Sequence, residues 1–398
     1  MPLWFVKFNV RQQLGMSRIV IIGCGIVGAA IAYELSLIRG LEITVLERQH
    51  PARESTGAAL GVLMGAISKK KGRAWQLRQT SMQRYETLIP ELEALTGRPI
   101  PFNRRGIVML CFTGDDLASW QNLVQTRQSQ GWQLEIWDAQ KLQSHCPQLH
   151  PDPIVGAIYS PQDRQVDPTL LTQALVTAAQ SNGVTFEFGV GVEEVQSQVR
   201  DGSATRECIQ LHTQVGKIDV DFVVVAAGLG STPITRAFEQ AIDIRPVLGQ
   251  ALHLRVEHPL GHPDFQPVIT GNDVHIVPIG EQEYWVGATV EFPDASGDVV
   301  AQPTLLEQVR QEAIGFCPAL AQATILRTWS GQRPRPEGRP APIIGHLPGY
   351  NNVLLATGHY RNGVLLAPAT ALAIRDLIVS GISSDRGVGA QELGRRDC

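Results

Sequence analysis

The chain has 398 residues, 43% hydrophobic and 18% charged, which excludes a disordered polymer and leaves room for roughly two to three domains. Lys+Arg number 34 and Asp+Glu 38, a net charge of −4, and nothing in that balance favours nucleic acid as a partner. The six cysteines (Cys24, Cys111, Cys146, Cys208, Cys317 and Cys398) are scattered with no CxxC pair, which argues for a reducing, cytoplasmic compartment rather than a disulfide framework. No HExxH and no Cys/His cluster supports a metal; His145-Cys146 comes nearest and is not a ligand set. No apolar run reaches the about 18 residues that span a bilayer, so no membrane partner is expected. Residues 1–16 lack the apolar core of a signal peptide and read, with 383–398, as flexible termini.

Residues 18–22 (R-I-V-I-I) form a β-branched run that reads as a buried parallel strand. Gly23, Gly25 and Gly28 follow in a GxGxxG turn, then a helical stretch over 29–37, a second strand over 43–46, and Glu47. Strand, Gly-rich turn, helix, strand and acid in this order make a dinucleotide-binding unit. Its helix N-terminus offers N–H groups to a pyrophosphate, and Glu47 can accept from ribose hydroxyls. The alternative is a Gly-rich turn in an ordinary βαβ unit. An acid at position 47 disfavours a 2′-phosphate and hence NADP. Only one complete fingerprint is present, where two would mark a flavoenzyme that also binds a pyridine nucleotide.

Farther along, Thr56, Ala58, Ala59 and Gly61 lie in a segment of small and hydroxyl residues. It suits a second phosphate or a flavin ring, or is a simple loop before a helix. The basic run 69–73 reads as a solvated helix start, and Trp120, Trp132 and Trp137 do not interleave with basic residues. Short β-like runs occupy 107–112, 268–270, 275–279 and 284–290, and the Pro-rich stretch 147–153 reads as a crossing between lobes. Residues 221–228 form another buried strand ending in small residues. A last strand over 352–358 feeds the turn 358–363 and a helix over 364–379, whose N-terminus carries positive potential.

Three blocks now carry a resemblance: residues 19–28 with Glu47, W-S-G-Q-R-P at 329–334, and G-H-Y-R-N-G-V-L-L-A-P-A-T at 358–370. Together they span nearly the whole chain. They resemble the D-amino-acid oxidase-type flavoproteins, and within them the glycine oxidase branch. That resemblance implies an α/β plus α+β fold: a discontinuous Rossmann-like FAD-binding domain (17–97, 161–242 and 326–382) with an inserted antiparallel-sheet substrate domain (98–160 and 243–325). It implies that Gly23, Gly25, Ile26, Val27, Gly28, Glu47 and Arg48 meet the ADP half of FAD, with Val192 at the adenine. Ala227 and Gly228 would border the cofactor, and Arg361, Asn362, Gly363 and Val364 would offer backbone N–H groups to the flavin.

By the same resemblance Arg333 binds the substrate carboxylate through two parallel hydrogen bonds. By composition alone, Arg333 reads as a surface arginine in a Pro-rich loop. The implied reaction is FAD-dependent oxidative deamination of glycine, sarcosine and small D-amino acids. Hydride transfer to the flavin needs no acid or base from the protein, so no catalytic residue is assigned. O2 would reoxidise the flavin to give H2O2, with the imine or glyoxylate feeding thiazole synthesis, and the enzyme would be a homo-oligomer. FAD is expected to be non-covalent, since no cysteine lies between Thr328 and Gly358. Two positions depart from the family: His275 stands where a tyrosine helps hold the carboxylate, and Tyr360 where phenylalanine is more usual. His275 reads either as a donor, neutral or charged, or as a packing residue. The alternatives are a D-amino-acid or sarcosine dehydrogenase or oxidase of the same fold, and a non-catalytic dinucleotide-binding protein.

Overall fold

The computed structural model describes residues 16–199, 204–294 and 296–386. Of the expected flexible ends, all but residue 16 and residues 383–386 lie outside that range, and 383–386 close the last helix. The helices are α1 (Ile26–Ser36), α2 (Gly72–Thr96), α3 (Leu117–Ser129), α4 (Ala139–His145), α5 (Pro168–Ser181), α6 (Ser231–Ala237), α7 (Pro303–Phe316) and α8 (Gly363–Arg386).

A six-stranded sheet runs in the order Ile343–His346, Val353–Thr357, Phe222–Val225, Ser17–Ile22, Leu41–Glu47, Thr185–Phe188. All its pairs are parallel except the first. In its central strand Ser17–Ile22, the four residues Ile19–Ile22 are all apolar because both faces are covered. Ile19 and Ile21 pack with α1, α5 and α8, while Val20 and Ile22 pack toward a three-stranded antiparallel sheet carrying Cys208 and Leu211. All residues of α1 are buried, so the helix is apolar all round rather than on one stripe.

The eight-stranded sheet runs Thr324–Pro336, Ile244–Arg255, Glu283–Gly287, Val274–Pro278, Val268–Gly271, Ile107–Phe112, Ile154–Ser160, Glu135–Asp138. It is antiparallel except between Val268–Gly271 and Ile107–Phe112. Alternation sets its faces: Val274 and Ile276 join the core that includes α7, and Val277 points to the opposite face with Ala251. Residues 326–336, expected in the FAD-binding domain, pair along their length with Ile244–Arg255 in this sheet.

Other differences are local. Helix α1 starts at Ile26, three residues earlier than read, so Val27 and Gly28 are helical. Val192 opens the strand Val192–Val199 of the three-stranded sheet, apart from Thr185–Phe188 in the six-stranded one. Helix α8 runs on to Arg386. By length and composition the stretch Tyr360–Ile382 could cross a membrane (mean hydropathy 1.6), which departs from the expectation of no such run; 56% of its most apolar window is buried inside the fold.

Helix α8 contains Pro368, which lacks the N–H that would bond the carbonyl of Val364. The Tyr85 hydroxyl of α2 donates to that oxygen instead, at 2.5 Å. One turn on, Ala369 N–H donates to Ser81 Oγ (3.2 Å), and Arg78 Nη2 donates to Asn362 Oδ1 (3.2 Å). Helix α2 thus splints the turn that opens α8.

Glu34, buried in α1, is held by Arg84 of α2 at 2.7 Å, with Arg375 of α8 at 3.6 Å. Removing one partner of a buried pair leaves a charge that burial penalises. Arg84→Met should therefore destabilise the fold by about 3 kcal/mol, the low end of the range because Arg375 remains. Thermal melting of the variant against the parent checks this.

Candidate functional site

The strand Ser17–Ile22 delivers the chain to the Gly-rich turn at the N-terminus of α1. Gly25 caps that helix with no side-chain hydrogen bond, and no acid lies in its first turn. Ile26 N–H donates to Thr56 Oγ1 (3.1 Å), while among the described residues the N–H groups of Val27 and Gly28 have no partner. A helix end with free amides and no acid in its own first turn suits an anionic ligand. A Cβ at Gly28 would lie 1.9 Å from the oxygen of Gly23, so this glycine is demanded by the close packing of helix on turn. The Glu47 carboxylate accepts from Cys24 N–H (2.8 Å) and Gln49 N–H (2.9 Å), which fixes it beside the turn.

From this turn a cavity of about 500 Å³ runs to the eight-stranded sheet. Gly23, Gly25, Ile26, Val27, Glu47, Arg48, Thr56, Ala58, Ala59, Gly61, Val192, Ala227, Gly228, His275, Arg333, Tyr360, Arg361, Gly363 and Val364 line it. Of the expected site residues, Gly28 and Asn362 do not. Asn362 N–H is spent on the carbonyl of His359 (3.0 Å), and its side chain on Arg78, so the expectation that this amide serves a ligand is corrected. None of the described cysteines lines the cavity, and all five are buried thiols.

Arg333 is not a surface residue. Its Nη1 donates to the carbonyls of Leu248 and Thr289, both at 3.0 Å. Among the described residues its Nε and Nη2 have no hydrogen-bond partner. The guanidinium lies against Gly249, where a Cβ would come within 2.3 Å of Nη2. Burial, then the neighbouring charge of Arg361, lowers its affinity for a proton below that of a free guanidinium. It nonetheless stays charged, because a free guanidinium titrates so high.

His275 sits on the strand Val274–Pro278, with its Nδ1 enclosed and unpartnered. Burial first, then Arg361, pushes its pKa down to about 4, so the imidazole is neutral and the reading of a positive His275 is corrected. Arg361 Nη2 pairs with Asp273 (3.4 Å), in the turn of the hairpin that carries His275. Tyr360 takes a positive φ of 53°, a strained conformation for a tyrosine, at the turn before α8.

Sequence reasoning missed Gly249, Leu248 and Thr289. Gly249 carried a signal, a glycine inside a strand, which marks close approach. Leu248 and Thr289 act through backbone carbonyls, which leave no trace in residue type.

His359 is also buried neutral, its Nε2 2.9 Å from Thr370 Oγ1 and its pKa lowered by burial to about 4. Between about 6.5, the free imidazole value, and about 4, the unfolded chain binds protons that these two rings refuse. Stability should therefore fall as pH falls through that window, and His275→Gln and His359→Gln should each flatten the slope. Melting temperatures of parent and variants from pH 7.5 to 4 check this.

The FAD dependent oxidoreductase family model matches residues 18–377. The chain is 33% identical over 363 residues to a bifunctional protein ThiO/ThiG of Nostoc sp., covering 91% of this chain and 52% of that one. It therefore spans about half the length of the first curated relatives it matches. It is 30% identical over 383 residues to a glycine oxidase of Bacillus subtilis, covering 95% and 97% of the two chains. Its fold is similar to the crystal structure of glycine oxidase from Geobacillus kaustophilus, with a TM-score of 0.79, 26% identity, and coverage of 91% and 95%. The fold, the glycine-rich turn with its free amides and the match over most of the length agree, and the chain belongs to the FAD dependent oxidoreductase family.

Proposed function

We propose that the chain is an amino-acid oxidase that deaminates glycine and other small amino acids, sarcosine and small D-amino acids among them, using non-covalent FAD. One observation carries the reading: a charged guanidinium, Arg333, lines the same cavity as the free helix amides, with Nε and Nη2 unpartnered. A planar fork of donors grips a carboxylate through two bonds, and every amino acid has a carboxylate. Neutral His275 lines the same cavity; its Nδ1 is enclosed, so Nε2 is the ring nitrogen that can hydrogen-bond the ligand without adding charge.

The residues fit the cofactor. The Val27 amide and Thr56 would meet the phosphates, Glu47 the ribose, Val192 the adenine, and Ala227, Gly228, Arg361, Gly363 and Val364 the flavin end. FAD held there would supply the two-electron acceptor for the amino acid's Cα–H hydride, with O2 as the final oxidant and H2O2 as its product. The protein's part is to fix the carboxylate, so that Cα–H has one orientation, and to exclude water. The imine hydrolyses to glyoxylate and ammonia, or leaves for a thiazole-forming reaction. The relatives that join ThiO to ThiG in one chain support that outlet. A homo-oligomer in a reducing, cytoplasmic compartment, with the chain divided into cofactor and substrate domains, completes the proposal.

The test is the visible spectrum of the purified protein, followed by anaerobic glycine. Bleaching of the flavin bands, and peroxide on readmitting air, support the reading. Bleaching without peroxide makes it a dehydrogenase, and no bleaching with any small amino acid removes catalysis. Arg333→Ala should keep its flavin and raise KM for glycine about 100-fold, the loss of about 3 kcal/mol for two charge-assisted bonds. Gly249→Ala should displace the guanidinium and raise KM about tenfold or more, an effect that steady-state kinetics would reveal.

A further inference from the structure

We infer that Glu291 is a positioning residue that holds the seat of Arg333; this rests on the reading of Arg333 as the carboxylate anchor. Glu291 is only 4% exposed and does not line the cavity. Its side chain is an acceptor facing three donors. Thr289 Oγ1 and Gln250 Nε2 (2.9 Å) donate to Oε1, and Gln302 N–H (2.8 Å) donates to Oε2. Among the described residues no cation forms an ion pair with it.

The backbone repeats the pattern. Leu248 N–H donates to the carbonyl of Glu291, and Glu291 N–H donates to the carbonyl of Leu248, each at 2.9 Å. Thr289 N–H donates to the carbonyl of Gln250 (3.2 Å), and Gln250 N–H to Thr289 Oγ1 (2.8 Å). The two carbonyls that receive Arg333 Nη1 belong to Leu248 and Thr289, the residues this knot immobilises. Leu248 oxygen thus accepts from both Glu291 N–H and Arg333, using both its lone pairs. The Glu291 charge also favours the charged form of the guanidinium against its burial. Gln250 Nε2 donates in addition to the carbonyl of Gln302 (2.9 Å), so the knot ties Glu291 to the N-cap of α7. A carboxylate that touches no ligand therefore fixes where the anchoring arginine stands.

Glutamine at 291 keeps the shape but turns an NH2 toward one of three donors. The experiment measures glycolate, a carboxylate with no amino group, by calorimetry on the flavin-loaded protein, together with flavin content and glycine kinetics. Glu291→Gln should weaken glycolate and raise KM for glycine by a common factor of about tenfold, with kcat and flavin content near the parent's. In an Arg333→Met background the same substitution should add less than about twofold, because its effect passes through the arginine. Parental glycolate binding in Glu291→Gln, with binding lost in Arg333→Met, overturns the inference and leaves the anchor standing. Parental binding in Arg333→Met overturns the anchor itself. If Glu291→Gln does not fold, Thr289→Val removes one donor of the knot and should weaken glycolate about threefold; unchanged binding there overturns the inference equally.

Discussion

A positive charge held away from bulk water is the constraint on which the site depends. Burying a guanidinium is costly unless its donors are met, and among the described residues Arg333 has two backbone carbonyls, both meeting one nitrogen. The arrangement is stable only if those carbonyls are aimed in advance. The long strand Thr324–Pro336 brings the arginine in, and its neighbour Ile244–Arg255 supplies both a carbonyl and, at Gly249, the bare backbone on which a flat group can rest. What remains unsatisfied on the guanidinium is then a demand for an anion from outside.

The opposite end of the cavity meets an anion by a different route. There the charge is partial, spread over amides at the start of a buried helix, of which Thr56 takes the Ile26 N–H and leaves the next free. Double coverage of the parallel sheet makes that helix rigid. Ile19 and Ile21 anchor one face and Val20 and Ile22 the other, so the turn between strand and helix has little freedom. One cavity therefore presents dipoles at one end and a full charge at the other.

Much of this was legible in the chain. The run R-I-V-I-I, the spacing of Gly23, Gly25 and Gly28, and Glu47 fixed the first unit because local sequence specifies a tight turn between two buried elements. Helix limits were less legible, since α1 is apolar all round and has no amphipathic edge to mark its start. The state of His275 could not be read at all. Its neutrality comes from enclosure and from two arginines that are distant in sequence. The same holds for Asn362, whose amide looked available until the turn at His359 claimed it.

The proline inside α8 has a mechanical consequence. Because Pro368 leaves one carbonyl without its internal partner, the helix offers a neighbour a defined place to dock, and Tyr85 takes it, with Ser81 and Arg78 bonded nearby. Sliding α2 past α8 by one turn would set that hydroxyl against an oxygen already engaged in the helix ladder. The two rods are therefore keyed in one register. The turn at the head of α8, where the cavity ends, keeps its depth even if the surrounding apolar contacts loosen.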